Sequence, residues 1–482
     1  MTTKPNLPVR AGDCVNLAID GYSNEGEGVG HLDRFAVFVP GALAGEEVAA
    51  CVEQVKNSYA RARLERVLRV SPDRVDPTCS VFGECGGCQL LHLDYPAQLE
   101  MKRQRVVDAV QRIGKLDDAV VHPVIGMDEP WRYRNKAQYS MAVRNGEIVA
   151  GYLARGTHRV VPTGDCAIQH EPNCRIADAV RRLAAEFGLS IHDARSRAGF
   201  LKNITVKNAF GTRQAMVVLT TNGARFPGGR ARGRELGRRI ADLFAEVKSV
   251  VQLIVDSKGG AHGEAHDEAH NEARAGIVLW GEPSIVDTLD GLRFRISATS
   301  FYQVNPSQTV ALYRKAIEYA DLTGGERVLD AYCGVGTVSL FMARAAREVY
   351  GIESVRAAVR DAQANAALNA IANTRFIEGR VERVLPALAR DGIAFDVAVV
   401  DPPRAGCDPE ALGALSGGAI GDGRTAGAGG VSRLVYISCN PATLARDLAV
   451  LSRLGYRTVE IQPVDMFPHT YHVETVCLLE RK

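Results

Sequence analysis

From residue 326 onward, short apolar runs alternate with helix-like segments: "RVLDAYCGVGTVSLFMARAA", "EVYGIE", "SVRAAVRDAQANAALNAI", "TRFIEG", "FDVAVVDPPRAG" and "RLVYISCNPATL". This alternation limits the fold more tightly than any other feature of the chain. Strands as uniformly apolar as "VAVV" must be covered on both faces, and strands joined through helices run parallel. The pattern predicts a doubly wound, Rossmann-like α/β sheet with helices on both sides. The closing stretch "YRTVEIQPVDMFPHTYHVETVCLLE" holds two strands with no long helix between them, so the last pair is expected to be antiparallel.

At 482 residues the chain is too long for one core. Residues 1–72 carry short apolar strands separated by Gly-rich turns, as in "DCVNLAIDGYSNEGEGVGHLDRFAVFVPGALAGEE", which suits a small OB-like β-barrel. Residues 73–295 are expected to form a central α+β domain. It opens with a cysteine-bearing segment at 75–92 and a helix at 93–116 placed to pack on the C-terminal domain. Two hairpins follow, "KAQYSMAVRNGEIVAGYLA" with an Asn145-Gly146 turn and "NITVKNAFGTRQAMVVLTTN". Residues 296–482 then make the doubly wound domain. Two stretches, "GGAHGEAHDEAHNEARAG" (259–276) and "SGGAIGDGRTAGAGG" (416–430), have compositions that cannot build a core and read as insertions. His262, His266 and His270 recur at a spacing that a helix would align for a metal, but their surroundings read as solvated.

The net charge of +2 gives no overall electrostatic case for a nucleic-acid partner, so any such case rests on local patches. The stretch "MTTKPNLPVRAGD" has no apolar signal region and no run approaches the length of a membrane span. A cytoplasmic monomer with no membrane partner is expected. Eleven cysteines in a chain of this size make a poor disulfide framework, which turns attention to metal binding and catalysis.

Three turns at predicted strand ends carry chemistry. "LDAYCGVGT" (329–337) follows a strand and opens a helix, with Gly334 and Gly336 allowing close backbone approach to a ligand. Glu353 ends the next strand, where an acid can accept from both ribose hydroxyls. The turn lacks the third glycine of a dinucleotide fingerprint and the Lys-Ser/Thr of a P-loop, which favours a single adenosine-type ligand such as S-adenosylmethionine. "VVDPPRAGC" (399–407) puts Asp401 at the end of a further strand. "YISCNPATLARDL" (436–448) does the same for Cys439, with Asn440 a natural N-cap and Pro441 at the first helical position. A thiol facing a helix N-terminus is expected to have a lowered pKa, the condition for a nucleophile; a small buried hydrophobe is the alternative reading of the same cysteine.

A fourth cluster is Cys79-x5-Cys85-x2-Cys88 in "CSVFGECGGCQLLH", with Cys166 far downstream in "TGDCAIQH" and Cys174 a weaker candidate. Four thiolates can hold zinc or an iron–sulfur cluster, and spacing does not choose between them. "WRYRNKAQY" (131–139) interleaves Arg132, Arg134 and Lys136 with Trp131 and Tyr133, a pattern that offers phosphate contacts and stacking surfaces for RNA. Lys56, Arg61, Arg63, Arg66 and Arg69 are expected along one side of the barrel, a charge run that also reads as a solvated face; Arg61, Arg63 and Arg66 would extend that RNA surface.

"FYQVNPSQT", "LDAYCGVGT", "GIE", "DPPRAG", "SCNPAT" and "HTYHVE" occur in the order seen in the RNA uracil-5-methyltransferases, which the chain resembles over nearly its whole length. The N-terminal unit looks like a TRAM domain. The resemblance implies methyl transfer from S-adenosylmethionine to C5 of a uridine in structured RNA, of the 23S rRNA 5-methyluridine type, with tRNA as the alternative. It makes Cys439 the nucleophile that adds to C6 of the uracil and Glu474 the general base that removes the C5 proton. It places Gln303, Tyr332, Gly334, Gly336, Thr337, Glu353, Arg380 and Asp401 around the cofactor, and a [4Fe–4S] cluster on Cys79, Cys85, Cys88 and Cys166. Since C5 lies out of reach inside a helix, the uridine is expected in a loop or flipped out. Two rival readings are an RNA cytosine-5-methyltransferase, which places its cysteines in other motifs, and a non-catalytic iron–sulfur RNA-binding protein, against which the intact Cys439, Glu474 and Glu353 argue.

Overall fold

The computed structural model describes residues 7–255, 274–417 and 430–482. The histidines at 262, 266 and 270, and all but the ends of the insertions read at 259–276 and 416–430, lie outside the described residues. Residues 274–276, read as the end of an insertion, instead begin a strand.

The chain opens with a closed five-stranded barrel. Its strands are β1 (Cys14–Tyr22), β2 (Gly28–Leu32), β3 (Phe35–Val39), β4 (Glu47–Val55) and β5 (Tyr59–Arg69), in the order β1-β2-β3-β5-β4. Alternate residues point inward, so Leu17, Ile19, Val37, Val39, Val48, Ala50 and Val52 fill the interior. Antiparallel register sets Cys14 opposite Cys51, and the two are joined in a disulfide. The sequence expectation had no place for a disulfide, because the pairing depends on which strands become neighbours.

Next come α1 (Tyr95–Ala109) and the short β6 (Val120–Val121). The helix read at 93–116 is regular over α1 and continues as one wider π-helical turn, Val110–Gly114. A seven-stranded sheet of order β13-β12-β11-β10-β7-β8-β9 follows. It comprises β7 (Lys136–Arg144), β8 (Glu147–Leu153), β9 (Val160–Pro162), β10 (Leu201–Ala209), β11 (Gln214–Thr221), β12 (Val247–Ile254) and β13 (Arg274–Gly281). The helices α2 (Glu171–Glu186) and α3 (Arg230–Leu243) pack on it. Asn145 and Gly146 both take positive φ, 52° and 81°, which is what a two-residue hairpin between β7 and β8 requires.

The hairpin β14 (Ser284–Leu289) and β15 (Leu292–Ser297) leads into α4 (Pro306–Ala320). The doubly wound part then runs β16 (Arg327–Ala331), α5 (Thr337–Ala343), β17 (Glu348–Glu353), α6 (Arg356–Leu368), β18 (Thr374–Glu378), α7 (Val381–Arg390) and β19 (Val397–Val400). It ends with α8 (Pro409–Leu415), β20 (Arg433–Ser438), α9 (Pro441–Arg453), β21 (Tyr456–Val464) and β22 (Glu474–Arg481). The sheet order is β18-β17-β16-β19-β20-β22-β21-β6. Strands β18 to β20 are mutually parallel, and β22 enters antiparallel between β20 and β21. The order reverses between β16 and β19, so their carboxyl ends diverge into a crevice. Among the described residues no helix is long and apolar enough to cross a membrane.

The helix α1 packs against α9 and β21. Its Lys102 ammonium meets the Asp465 carboxylate at 2.5 Å, with neither side chain exposed. The Tyr95 hydroxyl donates to the same carboxylate at 2.9 Å. A buried ion pair has little net value against an apolar pair, but removing one partner strands a charge. Lys102→Met alone is therefore expected to destabilise the protein by about 3–5 kcal/mol, and Lys102→Met with Asp465→Leu by much less. Chemical denaturation of the three proteins checks this; a single variant as stable as wild type would show that the pair is not a keystone.

Candidate active site

The turn after β16 is built on left-handed backbone: Tyr332, Gly334 and Gly336 have φ of 67°, 54° and 81°. Gly336 starts α5 where a Cβ would come within 3.0 Å of both Ala362 and the Phe376 ring. Gly334 differs, because no atom lies within 4 Å of where its Cβ would be. Its open side is what a bound molecule would occupy. The Glu353 carboxylate holds the turn, accepting from the Gly334 N–H at 3.1 Å and, through its other oxygen, from the Val355 N–H at 2.7 Å. Beneath the turn, buried Asp330 accepts from the Ser339 hydroxyl at 2.5 Å and is pushed up to about 7 by burial. A cavity of about 500 Å³ opens beside these strand ends, lined by Tyr332, Ile352, Gly379, Arg380 and Pro403 among others. That volume is of the size that holds a nucleoside-like molecule. Thr337 is the first residue of α5. Arg380 caps α7 from an exposed position, paired with Glu382 at 2.5 Å.

Asp401, Cys439 and Glu474 come together through strand register. Asp401 directly follows β19 and Cys439 directly follows β20, and those strands are parallel neighbours. On the other side of β20, antiparallel pairing sets Ser438 opposite Thr475. One step further along the pair stand Cys439 and Glu474. Asn440 caps α9 as expected, accepting from the Ala442 N–H at 3.1 Å, with Pro441 behind it. The expected lowering of the Cys439 pKa is not found. Burial, Glu474 and Asp401 push the thiol up to about 12, while Arg404 pulls it down. A helix end favours a thiolate by a modest amount, and two carboxylates in a low-dielectric pocket outweigh it. Burial and the Asp401 charge also raise Glu474, to about 8, and burial raises Asp401 to about 7. The site thus holds protons near neutrality.

Gln303 precedes α4, its carbonyl accepting from the Asn135 side chain at 2.9 Å. Its side chain is hydrogen-bonded to Tyr313, a buried phenol in the field of Asp401, Asp330 and Glu474. Tyr313 and Arg404 went unnoticed in the sequence reading. Arg404 sits within the "DPPRAG" motif and was within reach of such reasoning; Tyr313 has only the spacing of a core residue on α4.

A family model described as tRNA (Uracil-5-)-methyltransferase matches residues 287–482, and a TRAM domain model matches residues 8–64. An uncharacterized RNA methyltransferase of Halalkalibacterium halodurans is 43% identical over the full length of both chains. One of Clostridium tetani is 41% identical, covering 99% of this chain and 98% of that one. The chain belongs to the RNA uracil-5-methyltransferase family. Its fold resembles that of Pyrococcus abyssi tRNA (uracil-54, C5)-methyltransferase, solved in complex with S-adenosyl-L-homocysteine, with a TM-score of 0.72 and 26% identity. That likeness covers 96% of this chain and 100% of the Pyrococcus chain. The protein is an S-adenosylmethionine-dependent RNA (uracil-5-)-methyltransferase.

In this methyltransferase the strap leading into Glu474, residues 465–473, is clamped from several sides. The Asn305 side chain donates to the Met466 carbonyl at 3.1 Å, Lys102 to Phe467 at 3.1 Å, and the Tyr133 hydroxyl to Pro468 at 3.0 Å. The N–H groups of Gln89 and Leu90 both donate to the His469 carbonyl, at 3.1 and 3.0 Å. The His469 N–H in turn donates to Gln98 on α1 at 3.0 Å. His469 takes φ of 66°, and its ring stacks on Trp131 with centroids 4.0 Å apart.

These contacts overturn part of the expected RNA surface. Trp131 stacks within the protein, Tyr133 is buried, and Arg134 lies over the Phe467 ring. Arg132 is held by Asp165 at 2.6 and 2.8 Å. On the barrel, Arg61 pairs with Glu27, Arg63 with Glu65 and Glu53, and Arg69 with Glu47. An alternating basic pattern cannot reveal which acids the closed barrel brings beside each arginine.

Cys79, Cys85, Cys88 and Cys166 do converge: Cys88 lies in the field of the other three. The Gly87 N–H points at the Cys85 sulfur at 3.4 Å. An all-thiol donor set suits a sulfur-ligated centre. The four do not form a closed ligand shell, since among the described residues no three His, Cys, Asp or Glu side chains stand in metal-holding proximity.

Glu474 generates a pH prediction. Its folded pKa lies above the unfolded value, so its contribution to stability is present below about pH 4.5 and is lost as pH rises through about 8. Glu474→Gln is therefore expected to melt several degrees above wild type at pH 9, with the gap closing toward pH 4. A gap that stays constant with pH would mean that Glu474 is not buried as a proton-holding acid.

Proposed function

We propose that the enzyme methylates C5 of a uridine in structured RNA, with Cys439 as nucleophile and Glu474 as general base. The observation that supports this best is the β20–β22 register, which sets a thiol and a carboxyl group side by side at the sheet's carboxyl edge. Once its proton has passed to solvent, the Cys439 thiolate bonds to C6 of the uracil, making C5 an enolate-like carbon able to attack a methyl group. S-adenosylmethionine supplies that methyl as an electrophile. The Glu474 carboxylate then takes the C5 proton, the C5–C6 double bond returns, and the sulfur leaves as thiolate. Arg404, the cation that lowers both Cys439 and Glu474, favours the anionic form of each at its turn. Gln303, Tyr332, Gly334, Gly336, Thr337, Glu353, Arg380 and Asp401 would line the cofactor, an arrangement supported by the open side of Gly334 and the adjoining cavity. Ribosomal RNA is the target we favour. A tRNA target is the second reading, favoured by the tRNA specificity in the name of the Pyrococcus enzyme.

We further propose that Cys79, Cys85, Cys88 and Cys166 would hold a [4Fe–4S] cluster, which would supply structural ligation there. The all-thiol convergence supports it. Protein purified without oxygen is expected to be brown with about four irons per chain, and Cys85→Ser or Cys166→Ser to lose both colour and iron. Stoichiometric zinc without iron would overturn the cluster.

The nucleophile assignment predicts a trapped intermediate. Glu474→Gln, given RNA and S-adenosylmethionine, is expected to accumulate a denaturant-stable protein–RNA adduct. Cys439→Ala is expected to form none while binding cofactor as wild type does. Methylation by Cys439→Ala above about one-hundredth of the wild-type rate, roughly 2.7 kcal/mol of barrier, would falsify the assignment.

A further inference from the structure

Tyr133 is buried, Arg132 is paired, and Arg61, Arg63 and Arg69 of the barrel are held by glutamates. A separate group of cations lies at one corner of the central domain. Arg195 and Arg197 sit on the loop before β10, Arg225 on the turn after β11, and Arg230 and Arg234 on the first turns of α3. All five are exposed. None is within ion-pair distance of a carboxylate among the described residues, in contrast to Arg238 and Arg239 at the other end of the same helix, which pair with Asp242 and Glu186.

Three contacts make these segments one surface. The Asn222 side chain donates to the carbonyls of Arg197 and Gly199, at 3.3 and 3.2 Å. The Phe200 and Phe226 rings pack edge to face, 5.3 Å between centroids. Gly233 of α3 lies against the Phe226 ring, where a Cβ would come within 3.1 Å. The nearby acid Asp193 is already used inside its own loop, accepting from the amides of Arg195 and Ser196 and from the Ser196 hydroxyl.

The placement works against the fold. Arg230 and Arg234 are one helical turn apart, so like charges face each other. Both stand at the positive end of α3, whose first turn contains no acidic residue. Neither choice helps the helix form, and both strengthen the potential felt by an anion.

We infer that Arg195, Arg197, Arg225, Arg230 and Arg234 form a docking surface for RNA backbone phosphates, separate from the site that holds the target uridine. This rests on the reading of structured RNA as substrate. The surface grips RNA flanking the modified loop and sets affinity, while the chemistry stays at the C-terminal sheet.

The test uses the full chain with Arg225, Arg230 and Arg234 all changed to Gln, and a fluorescently labelled RNA stem-loop with uridines in its loop. Against wild type, the plot of log affinity versus log salt is expected to lose about 2–3 in slope, since each phosphate contact contributes roughly 0.7–0.9. The KM for RNA is expected to rise at least tenfold, with kcat and S-adenosylhomocysteine affinity unchanged. Thermal stability is expected to be equal or higher, because the substitutions relieve repulsion. An unchanged slope and KM would overturn the surface and return these arginines to solvent or to an acidic protein partner. A lower melting temperature with loss of cofactor binding would overturn it too, by showing that the arginines serve the fold. Should wild type itself methylate no RNA, the reading of the substrate fails instead, and the two failures are told apart by that control.

Discussion

Asp465 lies unexposed just past the end of β21, and the Lys102 ammonium reaches it from a helix more than 360 residues earlier in the chain. Around this one pair, α1, the cysteine-bearing segment and the Trp131–Arg134 stretch all fasten onto the strap that leads into Glu474. The strap has little regular structure of its own. Its carbonyls are satisfied by donors from outside, and a buried backbone group without a partner is costly. The position of the carboxyl group opposite Cys439 therefore depends on segments that contribute nothing to the methyltransferase sheet except β6. Gln89 and Leu90 directly follow Cys88, so whatever orders the cysteine segment also orders the strap.

The electrostatics of the site follow from the same enclosure. A thiol and two carboxyl groups share a pocket in which Arg404 is the opposing charge, and all three are driven toward their neutral forms. Such a site is poised to exchange protons near neutrality. It also means that the Cys439 thiol is not activated by its helix end alone. Deprotonation of Cys439 is coupled to the protonation of its acidic neighbours, so the three titrate as a unit.

Charge on the outer surface is organised differently. The chain is close to neutral overall, and many of its basic residues are answered by acids within reach. Neutralised pairs add little to stability or to long-range attraction. The corner formed by α3 and the loop before β10 is small in area, and among the described residues none of its five arginines is within ion-pair distance of a carboxylate.

The parallel sheet, the glycine turn after β16 and the antiparallel last pair were legible from residues 326–482 alone, because burial on both faces and helix-sized spacers leave few other arrangements. Cys439 behind β20, with its Asn440 cap and Pro441, was legible for the same local reason. The small barrel was also readable from alternation and glycine spacing. Other features were not. The Cys14–Cys51 pairing, the burial of Tyr133, the placement of Arg134 over Phe467 and most glutamate partners of the barrel arginines depend on which segments become neighbours. The raised pKa of Cys439 belongs with them, since Glu474 and Asp401 reach it from separate strands. Sequence by itself determines what each segment buries and where chemistry-bearing side chains fall along it. Tertiary structure decides their charge state and accessibility, because both depend on fields and contacts from residues on other elements, from tens to hundreds of positions away.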